Sequence, residues 1–171
     1  IQRIADICAD LDISKPLIVT DQGIVDIGLM QPLDAAFKQA NKEYYCFDQV
    51  LADPPEHIVL SAVAEAKRLT VDGVIGLGGG SSLDTAKLVA LLANSDEQLA
   101  DIYGVDAIRG KRLPLILIPT TAGTGSEVTP IAIVTTGNEL IAPGQDLPYG
   151  KIYESNSKML LSALYNLKFY D

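Results

Sequence analysis

A doubly wound α/β domain, with a mainly parallel sheet and helices on both faces, is the fold class this sequence predicts. Three observations predict it. Short uninterrupted apolar runs at residues 17–20 (LIVT), 74–77 (VIGL) and 115–118 (LILI) suit strands, and the first and last suit strands buried on both faces. Stretches with apolar residues at helical spacing alternate with these runs, the pattern of βα units joined by right-handed crossovers. Segments rich in acid, glycine or hydroxyl follow each run, at the carboxyl ends of strands where ligands of parallel sheets collect.

The elements follow in chain order. Ile4, Ile7, Cys8 and Leu11 recur at helical spacing, so the chain opens on an amphipathic helix that Pro16 ends. Residues 17–20 form the first strand, with Asp21 at its carboxyl end. Residues 23–40 carry two helical pieces, with the interruption expected near Pro32. Residues 44–47 form a second strand. Asp53, Pro54 and Pro55 make a loop from which Pro55 leads into a helix faced by Val59, Val63, Ala66 and Leu69. Residues 74–77 form the third strand, 83–92 the helix after a glycine cluster, and 115–118 the fourth strand. Met159, Leu160, Leu161 and Leu164 suggest a short helix in a tail of uncertain structure over residues 138–171. No internal repeat is present.

Composition narrows the function classes. A length of 171 residues fits one domain, and 48% hydrophobic residues supply a core. A formal net charge of −9 argues against nucleic acid or an anionic membrane as partner. No apolar run is long enough to span a bilayer, and the charged opening stretch is not a signal peptide. Two cysteines, Cys8 and Cys46, give no disulfide framework, and a cytoplasmic protein with reduced thiols is the simplest expectation. The chain does not start with methionine, which suggests a start inside a longer reading frame.

The segment VDGVIGLGGGSSLDTAKL at 71–88 carries the strongest chemical message. Glycines let the backbone turn tightly and approach a ligand closely. The helix that follows offers unpaired N–H groups and the positive end of its dipole, which suit phosphate oxygens. The spacing matches neither G-x-G-x-x-G nor a P-loop. The plainer alternative is a strand-to-helix turn with Ser81 or Ser82 as N-cap. Three consecutive glycines, Gly78, Gly79 and Gly80, exceed what a plain turn needs.

Residues 119–127 (PTTAGTGSE) place the hydroxyls of Thr120, Thr121, Thr124 and Ser126 in one loop after the fourth strand. They suit phosphate, ribose or carboxamide groups, or else cap the loop's own backbone. Asp21 suits the two hydroxyls of an adenosine ribose and would repel a 2′-phosphate, favouring NAD over NADP; the alternative is a helix N-cap. Asp84 is expected in the first turn of the glycine-loop helix, favouring its N-terminus and pairing with Lys87 at i,i+3. His57, the only histidine, reads as a solvated first-turn residue.

Taken together, LIVTD (17–21), DGVIGLGGGSSLDTAK (72–87) and IPTTAGTGSEVT (118–129), in this order and spacing, resemble the iron-containing, or group III, alcohol dehydrogenase family. The resemblance covers residues 1–137 and implies a Rossmann-like dinucleotide-binding domain there. It implies that Asp21 contacts the adenosine ribose of NAD and that Gly79, Gly80 and Ser81 hold the pyrophosphate; on the glycine-loop reading the gripping main-chain amides extend from Gly78 to Ser82. Asp84 belongs to the same motif. Thr120, Thr121 and Thr124 match the loop near the adenine, phosphates and nicotinamide. It further implies a small alcohol or aldehyde substrate, Fe2+ or another divalent metal, and often a homodimer.

The family's metal ligands, one aspartate and three histidines, lie in a helical second domain, and no D-A-x-x-H motif occurs here. Two functions are therefore expected to compete. One is an NAD-dependent alcohol dehydrogenase of which this is the coenzyme half. The other is a truncated or non-catalytic NAD-binding module. Glycerol dehydrogenase and dehydroquinate synthase relatives are a third possibility that PTTAGTGSEVT fits less well. No catalytic residue and no metal ligand is assigned.

Overall fold

The computed structural model describes residues 1–103 and 108–135, together with the backbone of Leu140–Ile141 and Ile152–Tyr153. The main sheet comprises β1 (Pro16–Val19), β2 (Tyr45–Phe47), β3 (Gly73–Gly78) and β4 (Leu115–Pro119), all parallel, in the order β2-β1-β3-β4. Helices α1 (Ile4–Asp10), α2 (Gln22–Asp26), α3 (Gln31–Gln39), α4 (Glu56–Leu69) and α5 (Gly80–Leu92) connect them. Two short strands, β5 (Leu140–Ile141) and β6 (Ile152–Tyr153), pair in parallel apart from that sheet. The expected helix around Met159 lies outside the described residues, as does the boundary placed at 137.

Period-two alternation divides the core between the two sheet faces. Leu17, Val19 and Val74 pack with α4 and α5; Ile18, Ile75 and Leu77 pack with α1 and α3. Helices thus cover both faces, as the fold class requires. Strand β1 is buried throughout, as its LIV run predicts. Strand β4 is not: among the described residues it is an edge strand, and it is only half-buried. A LILI run records that both faces of a strand are apolar, but not how fully neighbours cover them.

Local chemistry explains most of the boundaries, and several differ from expectation. Pro32 does not break a helix; it stands in the first turn of α3, where its missing N–H costs nothing. The break falls earlier, at Gly28, whose φ of +76° an L side chain rarely adopts. Ile7 and Leu11 are exposed, so α1 buries only Ile4, Ala5 and Cys8. Helix α5 begins at Gly80 rather than Leu83, with Gly79 as N-cap in place of either serine. Asp84 consequently falls in the second turn. Among the described residues no helix is long and apolar enough to cross a membrane.

At the amino end of the sheet, Asp72 joins the start of β3 to the start of β1. Its carboxylate accepts from the Ser14 N–H at 3.0 Å, the Lys15 N–H at 2.6 Å and the Ser14 hydroxyl. Burial raises its pKa, but these donors outweigh burial and hold it below the ordinary value. With the folded pKa depressed, the latch is fully present above the ordinary value of 3.8 and is lost as pH falls through the lower folded value. Asp72→Ala is expected to cost roughly 1–2 kcal/mol in urea unfolding at pH 7. The difference from the parent chain should shrink as the pH falls below 3.8; an equal loss at pH 7 and well below 3.8 would exclude the charged latch.

Candidate functional site

The topology opens one crevice. From β1 the chain runs through α2 and α3 to β2 on one side, and from β3 it runs through α5 to β4 on the other. The carboxyl ends of neighbouring β1 and β3 therefore part at a switch point, where open α/β sheets receive their ligands. Asp21 follows β1 there, the glycine cluster follows β3, and the threonine loop follows β4.

The β3–α5 turn is built on backbone that side chains would obstruct. Gly78 has φ +148°, and a Cβ on it would lie 2.6 Å from Ser82 Oγ and 3.2 Å from Asp21 Oδ2. Gly79 caps α5 without a side-chain hydrogen bond, so the first-turn N–H groups of Gly80, Ser81 and Ser82 have no intrahelical acceptor. A Cβ on Gly79 would meet only the Thr121 side chain, at 3.5 Å. One on Gly80 would lie 3.3 Å from Ser126 Oγ and 3.6 Å from the Thr124 side chain. The result is an open cradle of main-chain donors roofed by hydroxyls. Residues 82–92 of α5 are buried, so little water screens the dipole behind the cradle.

Asp21 takes the N-cap role considered for it and makes a second contact across the crevice. Oδ1 accepts from the Ile24 N–H at 3.1 Å, capping α2, and Oδ2 accepts from the Ser82 hydroxyl at 3.1 Å. The structure therefore brings Asp21, Gly78 and Ser82 into mutual contact. Beneath them, the buried Thr20 hydroxyl donates to the Leu77 carbonyl at 2.7 Å and ties the two strand ends together.

The threonine loop is anchored by the Thr120 N–H, which donates to the Gly78 carbonyl at 2.9 Å. Thr120, Thr121 and Thr124 are exposed. Thr124 reaches Glu127 Oε2 only at 3.5 Å, leaving its hydroxyl nearly free. Ser81 Oγ accepts from the Asp53 N–H at 3.3 Å, drawing the β2–α4 loop to the same cradle. Asp53 has φ +47°, an uncommon conformation for a residue with a side chain. The Thr135 hydroxyl holds its carbonyl at 2.6 Å. Sequence reasoning gave no role to Asp53 or Thr135; they are 82 positions apart, and no local pattern announces the contact.

Asp84 does not serve the helix dipole. It is 4% exposed, its Oδ1 pairs with Lys87 Nζ at 3.1 Å and its Oδ2 accepts from the Ile133 N–H at 3.1 Å. Lys87, 1% exposed, also donates to the Ile131 carbonyl at 2.6 Å. Burial pulls the Lys87 pKa down and the Asp84 charge opposes that. The expected i,i+3 pair is present, but as a buried clamp that holds the strand of chain leaving the threonine loop against α5.

His57 is exposed in the first turn of α4. Among the described residues no three histidine, cysteine, aspartate or glutamate side chains cluster as a metal site would need. The described residues fit a diphosphate group but not the metal that the resemblance implies.

A family profile described as "Iron-containing alcohol dehydrogenase" matches residues 1–144. The chain belongs to that family. Sulfoacetaldehyde reductase of Bilophila wadsworthia is 36% identical over 134 residues, covering 78% of this chain and 35% of the reductase. Long-chain-alcohol dehydrogenase 1 of Geobacillus thermodenitrificans is 43% identical over 122 residues, covering 70% and 31%. Among solved structures, 1,3-propanediol oxidoreductase superposes with a TM-score of 0.74 at 29% identity, covering 78% of this chain and 35% of that one. Sulfoacetaldehyde reductase from Bifidobacterium kashiwanohense, in complex with NAD+, superposes at 0.70 with 30% identity, covering 79% and 36%. The chain thus spans about a third of the length of these relatives.

The clamp has a measurable consequence. Lys87→Met leaves the Asp84 carboxylate buried without its cation and is expected to cost about 3–5 kcal/mol in urea unfolding. Adding Asp84→Asn to that variant should recover a large part of the loss, since Asn retains an acceptor for the Ile133 N–H. Failure of the second change to recover stability would mean that the charges are not coupled.

Proposed function

We propose that residues 1–137 bind NAD and serve as the coenzyme half of an alcohol or aldehyde oxidoreductase of the iron-containing type. The observation that carries this is the set of unclaimed N–H groups at the start of α5, placed at the switch point beside a fixed carboxylate. The pyrophosphate lies on the amides of Gly79, Gly80, Ser81 and Ser82, with Gly78 keeping the approach clear. Asp21 accepts from the adenosine ribose. Thr120, Thr121 and Thr124 line the far side, towards the phosphates and nicotinamide. When bound, the coenzyme supplies hydride transfer; the chain supplies orientation. A backbone cradle suits a chain of net charge −9, because main-chain amides attract phosphate without lysine or arginine.

Coenzyme choice follows from the same carboxylate. A 2′-phosphate beside Asp21 would suffer like-charge repulsion, so NADP binds more weakly than NAD. Small alcohols or aldehydes are the substrate class, and a homodimer located in the cytoplasm is the expected form of the whole protein. We place no metal on these residues and derive no step through one.

The second reading, an NAD-binding module without turnover of its own, is favoured by the donor set: the chain holds a single histidine, exposed on α4. The two readings share the binding step and differ in turnover. The chain as it stands is expected to bind NAD weakly by calorimetry and to reduce none in the presence of added divalent metal and a short primary alcohol.

Two substitutions test the site. Gly79→Val should remove measurable NAD binding at nearly unchanged melting temperature, because its side chain enters the open cradle rather than the core. Retained affinity would put the pyrophosphate elsewhere. Asp21→Gly keeps an acceptable N-cap, at a cost of a few tenths of a kcal/mol. It should bring the NAD and NADP dissociation constants closer together by about tenfold, equivalent to ~1.4 kcal/mol. An unchanged ratio would remove Asp21 from the ribose.

A further inference from the structure

Ser82 stands out among the crevice residues because its hydroxyl faces inward. The residue is 1% exposed, and Oγ donates at 3.1 Å to Asp21 Oδ2, across 61 positions of sequence. Gly78 creates the space for this pair: a Cβ there would lie 2.6 Å from Ser82 Oγ and 3.2 Å from Asp21 Oδ2. A methyl group at 78 would collide with Ser82 and crowd Asp21.

A carboxylate offers about four acceptor sites on its two oxygens. In Asp21 the Ile24 N–H occupies one site on Oδ1 and the Ser82 hydroxyl one on Oδ2. One site remains on each oxygen. That remainder matches a vicinal diol, which brings two hydroxyl donors. Held at one oxygen only, a carboxylate turns about its Cβ–Cγ bond; held at both, its plane is fixed. A fixed plane cannot retreat from a 2′-phosphate, which has acceptors where the diol has a donor.

We infer that Ser82 is the positioning residue that sets coenzyme specificity: its buried hydroxyl locks the Asp21 carboxylate in the plane that accepts a ribose diol and refuses a 2′-phosphate. Its main-chain N–H belongs to the phosphate cradle; its side chain acts through Asp21 alone. The inference rests on the assignment of Asp21 to the adenosine ribose.

The test is a double-mutant cycle on the full chain, reading dissociation constants of NAD and NADP by calorimetry for the parent, Ser82→Ala, Asp21→Gly and the double variant. Ser82→Ala should reduce the preference for NAD by about five- to tenfold, chiefly through weaker NAD binding. In the Asp21→Gly background the same change should move the ratio less than about twofold, because there is no carboxylate left to hold. Ser82→Cys, of similar size and a weaker donor, should fall between parent and Ser82→Ala, and it carries the test should Ser82→Ala not fold. Equal weakening of both coenzymes would reduce Ser82 to a structural role and overturn the inference, as would an undiminished effect in the Asp21→Gly background. If Asp21→Gly itself leaves the ratio unchanged, the ribose assignment fails and the inference falls with it. If Asp21→Gly moves the ratio and Ser82→Ala does not, the inference alone fails.

Discussion

The close seating of α5 on the sheet is the constraint from which the rest of the structure follows. Gly76, in the middle of β3, has no room for a methyl group: a Cβ there would lie 2.8 Å from Ala86 Cβ and 3.0 Å from Leu117 Cδ2. A larger residue would lift the helix or bend the strand, since interiors packed at crystal density transmit such strain. With Gly76 and Ala86 facing one another, the helix lies low over β3 and β4. Its first turn then projects over the carboxyl end of the sheet at the switch point. The open amides of the cradle are a consequence of that placement as much as of the glycines that follow β3.

Burial of α5 makes demands of its own. A helix covered along most of its length must pair the charges it carries. Asp84 and Lys87 do so jointly, each neutralising the other and each reaching the main chain of the 131–133 segment. Apolar residues of similar volume would satisfy the core equally well. What the ion pair adds is direction: it accepts one N–H and donates to one carbonyl, and so fixes the register of the chain that returns from the threonine loop. The loop is thereby held at both ends, by Thr120 on Gly78 and by the clamp beyond Thr129.

The fold was legible in the sequence wherever a short-range pattern decided it. The apolar runs located β1, β3 and β4, whereas the junctions fell at Gly28 and Gly79 rather than at Pro32 and the serines. Legibility ended where tertiary neighbours decide. The four apolar residues of β4 could not reveal that it is only half-buried. Asp84 read as a first-turn acid because the serines seemed natural caps; once Gly79 caps the helix, the same residue lies a turn deeper and inside the core. For the site, Asp21, the glycines and the threonines could be listed by type, and the family resemblance gave them an order. The hydrogen bond from Ser82 to Asp21 could not be read at all, because it joins residues whose nearness exists only after β1 and β3 pair.

The two ends of the sheet divide the work of its charged groups. At the amino end Asp72 spends its acceptors on three donors of Ser14 and Lys15, and its carboxylate is largely taken up by the chain itself. At the carboxyl end Asp21 receives two donors from the chain and retains acceptor capacity. The same side chain is thus a closed structural latch in one place and an unfinished hydrogen-bonding group in the other. The difference lies in what surrounds them. Asp72 faces two successive backbone N–H groups and a hydroxyl, whereas Asp21 faces a crevice that Gly78 keeps clear of side chains. An ionised group with spare acceptors, held rigid beside unclaimed amides, is poised for a ligand that carries phosphate and hydroxyl donors together. A nucleotide meets that description; an isolated phosphate or a simple alcohol meets only half of it.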